Sequence, residues 1–249
     1  MKDNKTNKNN TAKSREERFN WRDWINTIQN ADCLMGLRRI PDNSIDLIIA
    51  DPPYGISRKL NCKGKRLGTT AKLDFNFGKW DKFSKEWFEI AIKKTKGWIM
   101  TFCAKKDVGL FIDELDRNGF VAIDVIVWQK PDPIPLNAKS RFLNAWEAIV
   151  VGKKAGALWN SRYEHNIIKV QAPKGRDRFH PTQKPVELIK KLITLTTKER
   201  DLVLDPFMGS GTTAVACVET KRNYLGFEIS KEYHRKSINR IKRLPQRLF

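Results

Sequence analysis

Two short stretches, far apart in the chain of 249 residues, contain side chains that could do chemistry. The first is DPPY (residues 51–54), which directly follows a run of apolar residues. Asp51 offers a carboxylate acceptor, and Pro52 keeps its carbonyl acceptor although it has no N–H. Two neighbouring acceptors suit an exocyclic amino group, which has two hydrogens to donate, and Tyr54 could stack on the base that bears it. The alternative is an ordinary Asp-Pro turn with a surface tyrosine.

The second stretch is DPFMGSGTT (residues 205–213), in which Gly209 and Gly211 lie between a predicted strand and a predicted helix. Glycines there can adopt positive φ and leave no Cβ in the way of a ligand. A phosphate-binding Walker loop is excluded because Thr212, and not lysine, follows the second glycine. Glu228 ends the next predicted strand, where an acid can accept hydrogen bonds from both hydroxyls of a ribose. These features indicate a nucleoside site without a pyrophosphate site, and S-adenosylmethionine, with its cationic sulfonium, suits such an acidic pocket.

The elements that must position these stretches alternate along the chain. SIDLIIADPPY predicts a strand buried on both faces, because its apolar run is continuous. Further strands are predicted in GWIMTFCA, VAIDVIVWQK, AWEAIVVGKK, DLVLD and NYLGFEI, and helices in SKEWFEIAIKKT, AKKDVGLFIDELDRNG, KPVELIKKLITLTT, TTAVACVETK and the segment from Ser230. This alternation predicts an α/β, Rossmann-like fold with a mostly parallel sheet and helices on both faces. Because ligands bind at the carboxyl ends of such strands, we expect both stretches to face one crevice.

Three segments fall outside this alternation. Residues 1–18 are polar and basic, without the apolar stretch of a signal peptide, and predict a disordered tail before one domain at residues 19–249. Residues 55–80 are rich in Gly, Lys, Thr and Asn, and predict a long mobile loop of a kind that is usually functional. Residues 152–179 show no clear period and predict an irregular basic insertion.

The charge of the chain indicates a polyanionic partner. Lys and Arg number 48 against 28 Asp and Glu, which gives a formal net charge of +20. Clustered cations release counterions from a phosphate backbone, so nucleic acid is the expected partner. No long apolar run or basic amphipathic helix favours a membrane. Four scattered cysteines without a C-x-x-C pair, and three histidines that complete no ligand set, favour free thiols, no metal site and a cytoplasmic location.

Three blocks together resemble the amino-methylating DNA methyltransferases that act on adenine N6 or cytosine N4. DPPY is similar to the catalytic motif of that family, DPFMGSGTT to its cofactor motif, and HPTQKPVELI (residues 180–189) to the block before the cofactor motif. The order of catalytic block, basic insertion and cofactor block is similar to the beta group, whose sheet order is circularly rearranged. The resemblance covers nearly everything from about Asn30 onward.

The resemblance implies transfer of a methyl group from S-adenosyl-L-methionine to the exocyclic N6 of an adenine flipped out of DNA. Asp51, Pro52, Pro53 and Tyr54 would be catalytic, and Tyr54 and Trp128 would line the target-base pocket. The implied cofactor-binding residues are Asp32, Cys33, Asp51, His180, Thr182, Lys184, Asp205, Pro206, Phe207, Gly209, Ser210, Gly211, Thr212, Thr213 and Glu228. Two alternatives stay open, because Asp32 could cap the helix that follows it and Trp128 could belong to the core.

Basic residues of the loop, of the proline-rich stretch after VAIDVIVWQK and of the insertion are expected to contact DNA, and the resemblance gives residues 152–179 the target-recognition position. The candidates are Arg58, Lys59, Lys63, Lys65, Arg66, Lys139, Arg141, Lys174, Arg176 and Arg178. A cognate restriction endonuclease and a second copy of the chain are candidate partners.

Competing functions differ at the same residues. Cytosine-N4 methylation has the same chemistry, but members with that activity more often have Ser at the position of Asp51. Release-factor and RNA methyltransferases tend to have Asn there and the cofactor block earlier in the chain. A catalytically silent DNA-binding subunit would need neither Asp51 nor the two glycines.

Overall fold

The structure is a computed structural model, and it describes residues 19–54, 84–133, 142–175 and 178–245. The expected tail (1–18) and loop (55–80) lie outside the described residues. The described strands are β1 (Thr27–Gln29), β2 (Ile45–Ala50), β3 (Thr95–Cys103), β4 (Val121–Gln129), β5 (Trp146–Lys153), β6 (Ile167–Lys169), β7 (Leu202–Asp205) and β8 (Asn223–Phe227). The described α-helices are α1 (Cys33–Leu37), α2 (Glu86–Lys94), α3 (Val108–Arg117), α4 (Val186–Thr196), α5 (Thr212–Glu219) and α6 (Lys231–Lys242).

These strands form one sheet in the order β1-β8-β7-β2-β3-β5-β4-β6. Neighbouring strands are parallel except at β5, which runs antiparallel to both β3 and β4. The expected mostly parallel α/β sheet is therefore confirmed. Leu47 of β2 lies opposite Val203 of β7, so DPPY and the glycine turn leave the sheet from adjacent strands.

Two clusters of buried side chains cover the two faces of the sheet. Along β2, Leu47 and Ile49 belong to one cluster, whereas Ile48 and Ala50 belong to the other. Successive side chains of a strand point to opposite faces, so the part of β2 that is covered on both sides, residues 47–50, is apolar at every position. Helices α4 and α5 contribute to the first cluster, and α1, α2 and α3 contribute to the second.

Two of the strands, β1 and β6, were not expected from the sequence, and each has three residues. Strand β6 lies within residues 152–179, where an irregular insertion was expected, and its Ile167 pairs in parallel with Val127 of β4. Residues 152 and 153 complete β5. Three residues are too few to show a period, so only the neighbouring strands reveal such an element.

The helix ends agree with the sequence signals. Gly119 follows α3 with φ of +68°, the left-handed conformation expected of a glycine after a helix. The side chain of Ser230 caps α6 by accepting a hydrogen bond from the N–H of Tyr233. No helix in the described ranges is long and apolar enough to cross a membrane.

Candidate active site

A cavity of about 1060 Å³ opens at the carboxyl edge of the sheet. DPPY and the glycine turn both line it, because β2 and β7 are neighbours and end at the same edge. Because β5 is reversed, its amino end, at Trp146 and Glu147, reaches this edge as well. The cavity exceeds the usual 300–1,000 Å³ of a pocket for one drug-sized ligand, so there is room for a cofactor and a base side by side.

Most residues singled out in the sequence line this cavity. They are Asp32, Cys33, Asp51, Pro52, Pro53, Tyr54, Trp128, Arg178, His180, Thr182, Lys184, Asp205, Pro206, Phe207, Gly209, Ser210, Thr212, Thr213 and Glu228. Lys174 is exposed instead and pairs with Asp132, 3.1 Å away. The other DNA-contact candidates, Arg58, Lys59, Lys63, Lys65, Arg66, Lys139, Arg141 and Arg176, lie outside the described residues.

The Asp51 carboxylate accepts hydrogen bonds from two side chains, Tyr54 and Lys184. Tyr54 Oη donates to Oδ1 at 2.6 Å, and Lys184 Nζ donates to Oδ2 at 2.6 Å. Burial raises the pKa of Asp51 above its ordinary value, while the Lys184 ammonium opposes that rise. Each carboxylate oxygen retains a second lone pair for an amino hydrogen. Asp51 is thus an ion-paired acceptor at the cavity wall.

Lys184 belongs to a buried cluster of four charges. Its ammonium lies 2.6 Å from Asp51 Oδ2 and 3.3 Å from Glu147 Oε2, and Glu147 in turn pairs with Lys130. Burial lowers the pKa of Lys184, but the two carboxylates more than offset this, so the pKa is raised. Burial likewise opposes ionisation of Glu147, yet Lys184 and Lys130 hold its pKa below the ordinary value.

Asp205 ends β7 and is held by neutral donors. Its Oδ1 accepts from the Phe207 N–H at 2.9 Å, and its Oδ2 accepts from Thr213 Oγ1 at 2.5 Å. Burial raises the pKa of Asp205 to about 7, and the hydrogen bonds only partly oppose that rise. A positively charged ligand would supply the missing counter-charge.

Glu228 follows β8 and is held in the same manner. Its two oxygens accept hydrogen bonds from the N–H groups of Gly209 and Ser230, each at 2.8 Å. Burial raises its pKa as well. Each oxygen keeps a lone pair, so this carboxylate can accept from the hydroxyls of a ribose, the role that its position predicts.

The two glycines of the turn have different environments. Both have positive φ, +51° at Gly209 and +76° at Gly211, as the sequence predicted. A Cβ on Gly209 would make ordinary contacts with the His180 ring, at 3.5 Å, and the Phe207 carbonyl oxygen, at 3.7 Å, whereas a Cβ on Gly211 would lie 2.9 Å from the Cβ of Ser237 in α6. The missing side chain of Gly211 therefore makes room for α6, and not for a ligand.

The open alternatives for Asp32 and Trp128 are both partly correct. Asp32 caps α1 by accepting from the Leu34 N–H at 2.7 Å, and it also lines the cavity. Trp128 is only 2 % exposed and donates through Nε1 to the carbonyl of Val170 at 2.9 Å, yet its ring also forms part of the cavity wall. Asp32 and Trp128 thus both stabilise the fold and line the cavity.

His180 is a neutral side chain of the cavity wall. Burial, followed by the nearby cations Lys184, Arg178 and Lys236, lowers the pKa of His180 to about 4. Its Nδ1 lies 3.4 Å from the Thr182 backbone nitrogen and 3.2 Å from Thr182 Oγ1. The ring makes an edge contact with Tyr233 of α6, with centroids 4.4 Å apart.

Sequence reasoning missed Glu147, Lys130 and Tyr233, all of which line the cavity. Glu147 lies inside a predicted strand, and no motif marks it. Glu147 reaches the cavity because β5 runs antiparallel to its neighbours, which the sequence did not predict. A lone carboxylate directly before the apolar run AIVV was the available signal, and it was too weak to use.

A family model for DNA methylases, N6_N4_Mtase, matches residues 45–239, which is most of the chain. This chain belongs to the N6/N4 DNA methylase family. The match spans DPPY, the block at residues 180–189 and the glycine turn, so the resemblance drawn from the sequence is confirmed. The family includes enzymes for both amino groups, adenine N6 and cytosine N4.

Curated relatives of this DNA methylase are type II methyltransferases by name. The chain is 32% identical over 245 residues to the type II methyltransferase M.HinfI of Haemophilus influenzae, covering 86% of this chain and 67% of that protein. It is 31% identical over 232 residues to the type II methyltransferase M2.MboI of Moraxella bovis, covering 83% of this chain and 84% of that protein.

Solved structures of methyltransferases share the fold of this chain. The complex of M1.HpyAVI with SAM has a TM-score of 0.65 and 30% identity, covering 86% of this chain and 98% of that one. The cytosine-N4-specific PvuII DNA methyltransferase has a TM-score of 0.66 and 20% identity, covering 88% of each chain. The second likeness, at that identity, shows the shared fold alone.

Cys33, Cys103 and Cys217 are free thiols. Burial raises the pKa of Cys33 and of Cys103 to about 12 in each case, so neither is a ready nucleophile. Among the described side chains no group of three or more His, Cys, Asp or Glu is arranged to hold a metal ion.

Proposed function

We propose that this DNA methylase transfers a methyl group to the exocyclic N6 of adenine within a specific DNA sequence. The observation that supports it is the meeting of two stretches in one cavity, where an amine clamp at Asp51 and Pro52 lies beside the carboxylates of Asp205 and Glu228. An amino group needs the clamp, and a cationic nucleoside needs the carboxylates.

S-adenosyl-L-methionine is the cofactor, and it supplies an activated methyl group on a cationic sulfonium. The residues present fit it. Asp205 and Glu228 are buried carboxylates whose pKa values are raised by burial, with no cation of the protein bonded to either of them in the described structure. Glu228 and Asp32 would hold the nucleoside, and the main chain at Gly209 would pass close to it.

Asp51 and the carbonyl of Pro52 would act directly on the target amine. The lone pair of an adenine amino nitrogen is delocalised into the ring, which makes it a poor nucleophile. Hydrogen bonds from its two hydrogens to these acceptors favour a tetrahedral nitrogen and localise the pair. The same acceptors stabilise the positive charge that grows on the nitrogen during transfer. The proton lost afterwards passes to Asp51 or to water, so no cysteine is required.

The target adenine must leave the DNA helix to reach this clamp. Flipping costs a few kcal/mol, and aromatic contact with Tyr54 and Trp128 would offset part of that cost. Basic residues around the cavity would hold the phosphate backbone. Lys174 and Arg178 are the described candidates, with Arg178 fixed by a hydrogen bond to the carbonyl of Pro181. By analogy with its type II relatives, a cognate restriction endonuclease is a candidate partner, as is a second copy of the chain.

The adenine assignment depends on Asp51. Family members that methylate cytosine N4 more often have Ser there, whereas this chain has the carboxylate. The experiment is mass spectrometry of nucleosides from DNA treated with the protein and labelled S-adenosylmethionine. We expect labelled N6-methyladenine. Labelled N4-methylcytosine alone would overturn the adenine assignment, and the absence of label in every base would overturn DNA methylation itself.

A further inference from the structure

The ion pair between Asp51 and Lys184 belongs to a larger cluster that includes Glu147 and Lys130. Lys184 lies between two carboxylates, 2.6 Å from Asp51 Oδ2 and 3.3 Å from Glu147 Oε2. Glu147 also pairs through Oε1 with Lys130. The side chains of Lys184 and Lys130 are only 7% and 16% exposed, so water screens these charges weakly. The four charges sum to zero only while Glu147 is present.

Glu147 is placed by rigid parts of the fold. It sits opposite Trp128 in the β4–β5 ladder, and the Lys130 N–H donates to the carbonyl of Ala145 at 2.7 Å, which fixes the ends of both strands. Its Oε2 is buried and has no hydrogen bond within the described structure, so Lys184 is its ionic partner. Glu147 therefore presents a second negative charge to Lys184, in addition to that of Asp51.

We propose that Glu147 is a positioning residue for methyl transfer, which holds Lys184 in place and offsets part of the electrostatic effect of Lys184 on Asp51. This inference rests on the proposed function, because it concerns the clamp on the target amine. An ammonium bonded to Asp51 alone would stabilise the carboxylate so fully that it would accept the amine hydrogens and the departing proton poorly. With Glu147 also close to Lys184, the ammonium keeps Asp51 ionised without making it so poor an acceptor.

The groups that face Asp51 come from each neighbouring element. They are the Tyr54 hydroxyl after β2, Lys184 before α4, Glu147 at the start of β5 and, farther away, Asp205 after β7. Among them Lys184 lowers the pKa of Asp51, and Glu147 raises it. Neutralising Glu147 should therefore lower the pKa of Asp51, and removing the charge of Lys184 should raise it.

The test is the pH profile of single-turnover methyl transfer at saturating cofactor and DNA. Transfer requires ionised Asp51, so the acid limb of the profile follows its pKa. We expect Glu147→Gln to move the acid limb to lower pH and to slow the plateau rate on the order of tenfold to a hundredfold. Lys184→Met should move the limb to higher pH. A purely structural role for Glu147 would slow the enzyme and leave the limb in place.

The control is Glu219→Gln, which breaks a more exposed ion pair, 2.8 Å from Lys190, outside the cavity. Its profile should match that of the wild type, and transfer by both proteins tests the proposed function separately. An acid limb that is unmoved or raised in Glu147→Gln would overturn the inference. If that variant does not fold, Lys130→Met decides: it leaves Glu147 uncompensated, so the limb should rise, and an unmoved or lowered limb would overturn the inference.

Discussion

The two halves of the cavity hold their carboxylates in different ways. In the cofactor half, Asp205 is bonded by groups two and eight residues along the chain, and Glu228 by backbone groups two and nineteen residues away. In the half proposed for methyl transfer (the transfer half), Asp51 is bonded by Tyr54, three residues away, and by Lys184, 133 residues away, which a further carboxylate also contacts. The first half is held by groups within nineteen residues, whereas the second also needs a group that only the tertiary fold brings near.

The difference has an electrostatic meaning. The donors to Asp205 and Glu228 are neutral, so burial leaves their pKa values raised, to about 7 at Asp205. Asp51 instead has a cation of the protein at 2.6 Å. The cofactor half thus lacks a counter-charge that a cationic ligand can supply, while the transfer half carries its own. Three substitutions test this contrast.

Asp51→Ala should have the largest effect. It removes the acceptor of the proposed clamp, so methyl transfer should fall by at least roughly 10²–10³-fold. Cofactor affinity should stay within a few-fold of wild type, because the cofactor half is built separately. Product analysis measures the first and calorimetry the second. Near-normal methylation would contradict the role of Asp51, and an equal loss of cofactor binding would contradict the separation of the two halves.

Asp205→Asn should chiefly affect the cofactor half. In the wild type, cofactor affinity should rise as pH increases through about 7, since ionised Asp205 attracts a cation. The asparagine variant should bind more weakly, by about tenfold, the equivalent of about 1.4 kcal/mol, and without that pH dependence. Calorimetric titration at several pH values between 6 and 8.5 measures this. A variant that kept the pH dependence would show that another group produces it.

The same variant should be more stable than the wild type at pH 8. The raised pKa means that folded Asp205 binds more protons than the unfolded residue. The stability of the fold therefore falls as pH rises from the ordinary pKa of 3.8 to about 7, and it stays lower above that pH. Asparagine avoids the cost of an uncompensated buried charge. Thermal unfolding without cofactor should show a higher Tm at pH 8, by about 2–4 °C for each kcal/mol regained. A lower Tm would mean that the Thr213 hydrogen bond requires the carboxylate.

Gly211→Ala should have the smallest effect on chemistry and a clear effect on stability. The new Cβ would lie 2.9 Å from that of Ser237 at φ of +76°, which should destabilise the fold by about 1–3 kcal/mol. Gly209→Ala is the matched control, since it also requires positive φ but its Cβ would have no contact closer than 3.5 Å. Chemical denaturation should rank Gly211→Ala as the less stable. The reverse order would mean that α6 yields more easily than the turn.

Much of the fold and half of the site could be predicted from the sequence. Six strands of the sheet were predicted, and the continuous apolar run of β2 was a clear signal, because a strand covered on both faces is apolar along its covered part. The glycine turn and its acids were also predictable, since Asp205 and Glu228 are bonded mainly by near neighbours in the chain. Strands β1 and β6 were not, because three residues show no period.

The sequence by itself determined which groups could do chemistry: an amine clamp in DPPY, a nucleoside turn in DPFMGSGTT and a strongly basic chain. The tertiary structure alone decided how the clamp is charged. The reversal of β5 brings Glu147 to the carboxyl edge, and the approach of the segment before α4 brings Lys184 to Asp51. Direct ion pairs act over a few ångströms of space whatever the separation along the chain, so no local pattern could have revealed them.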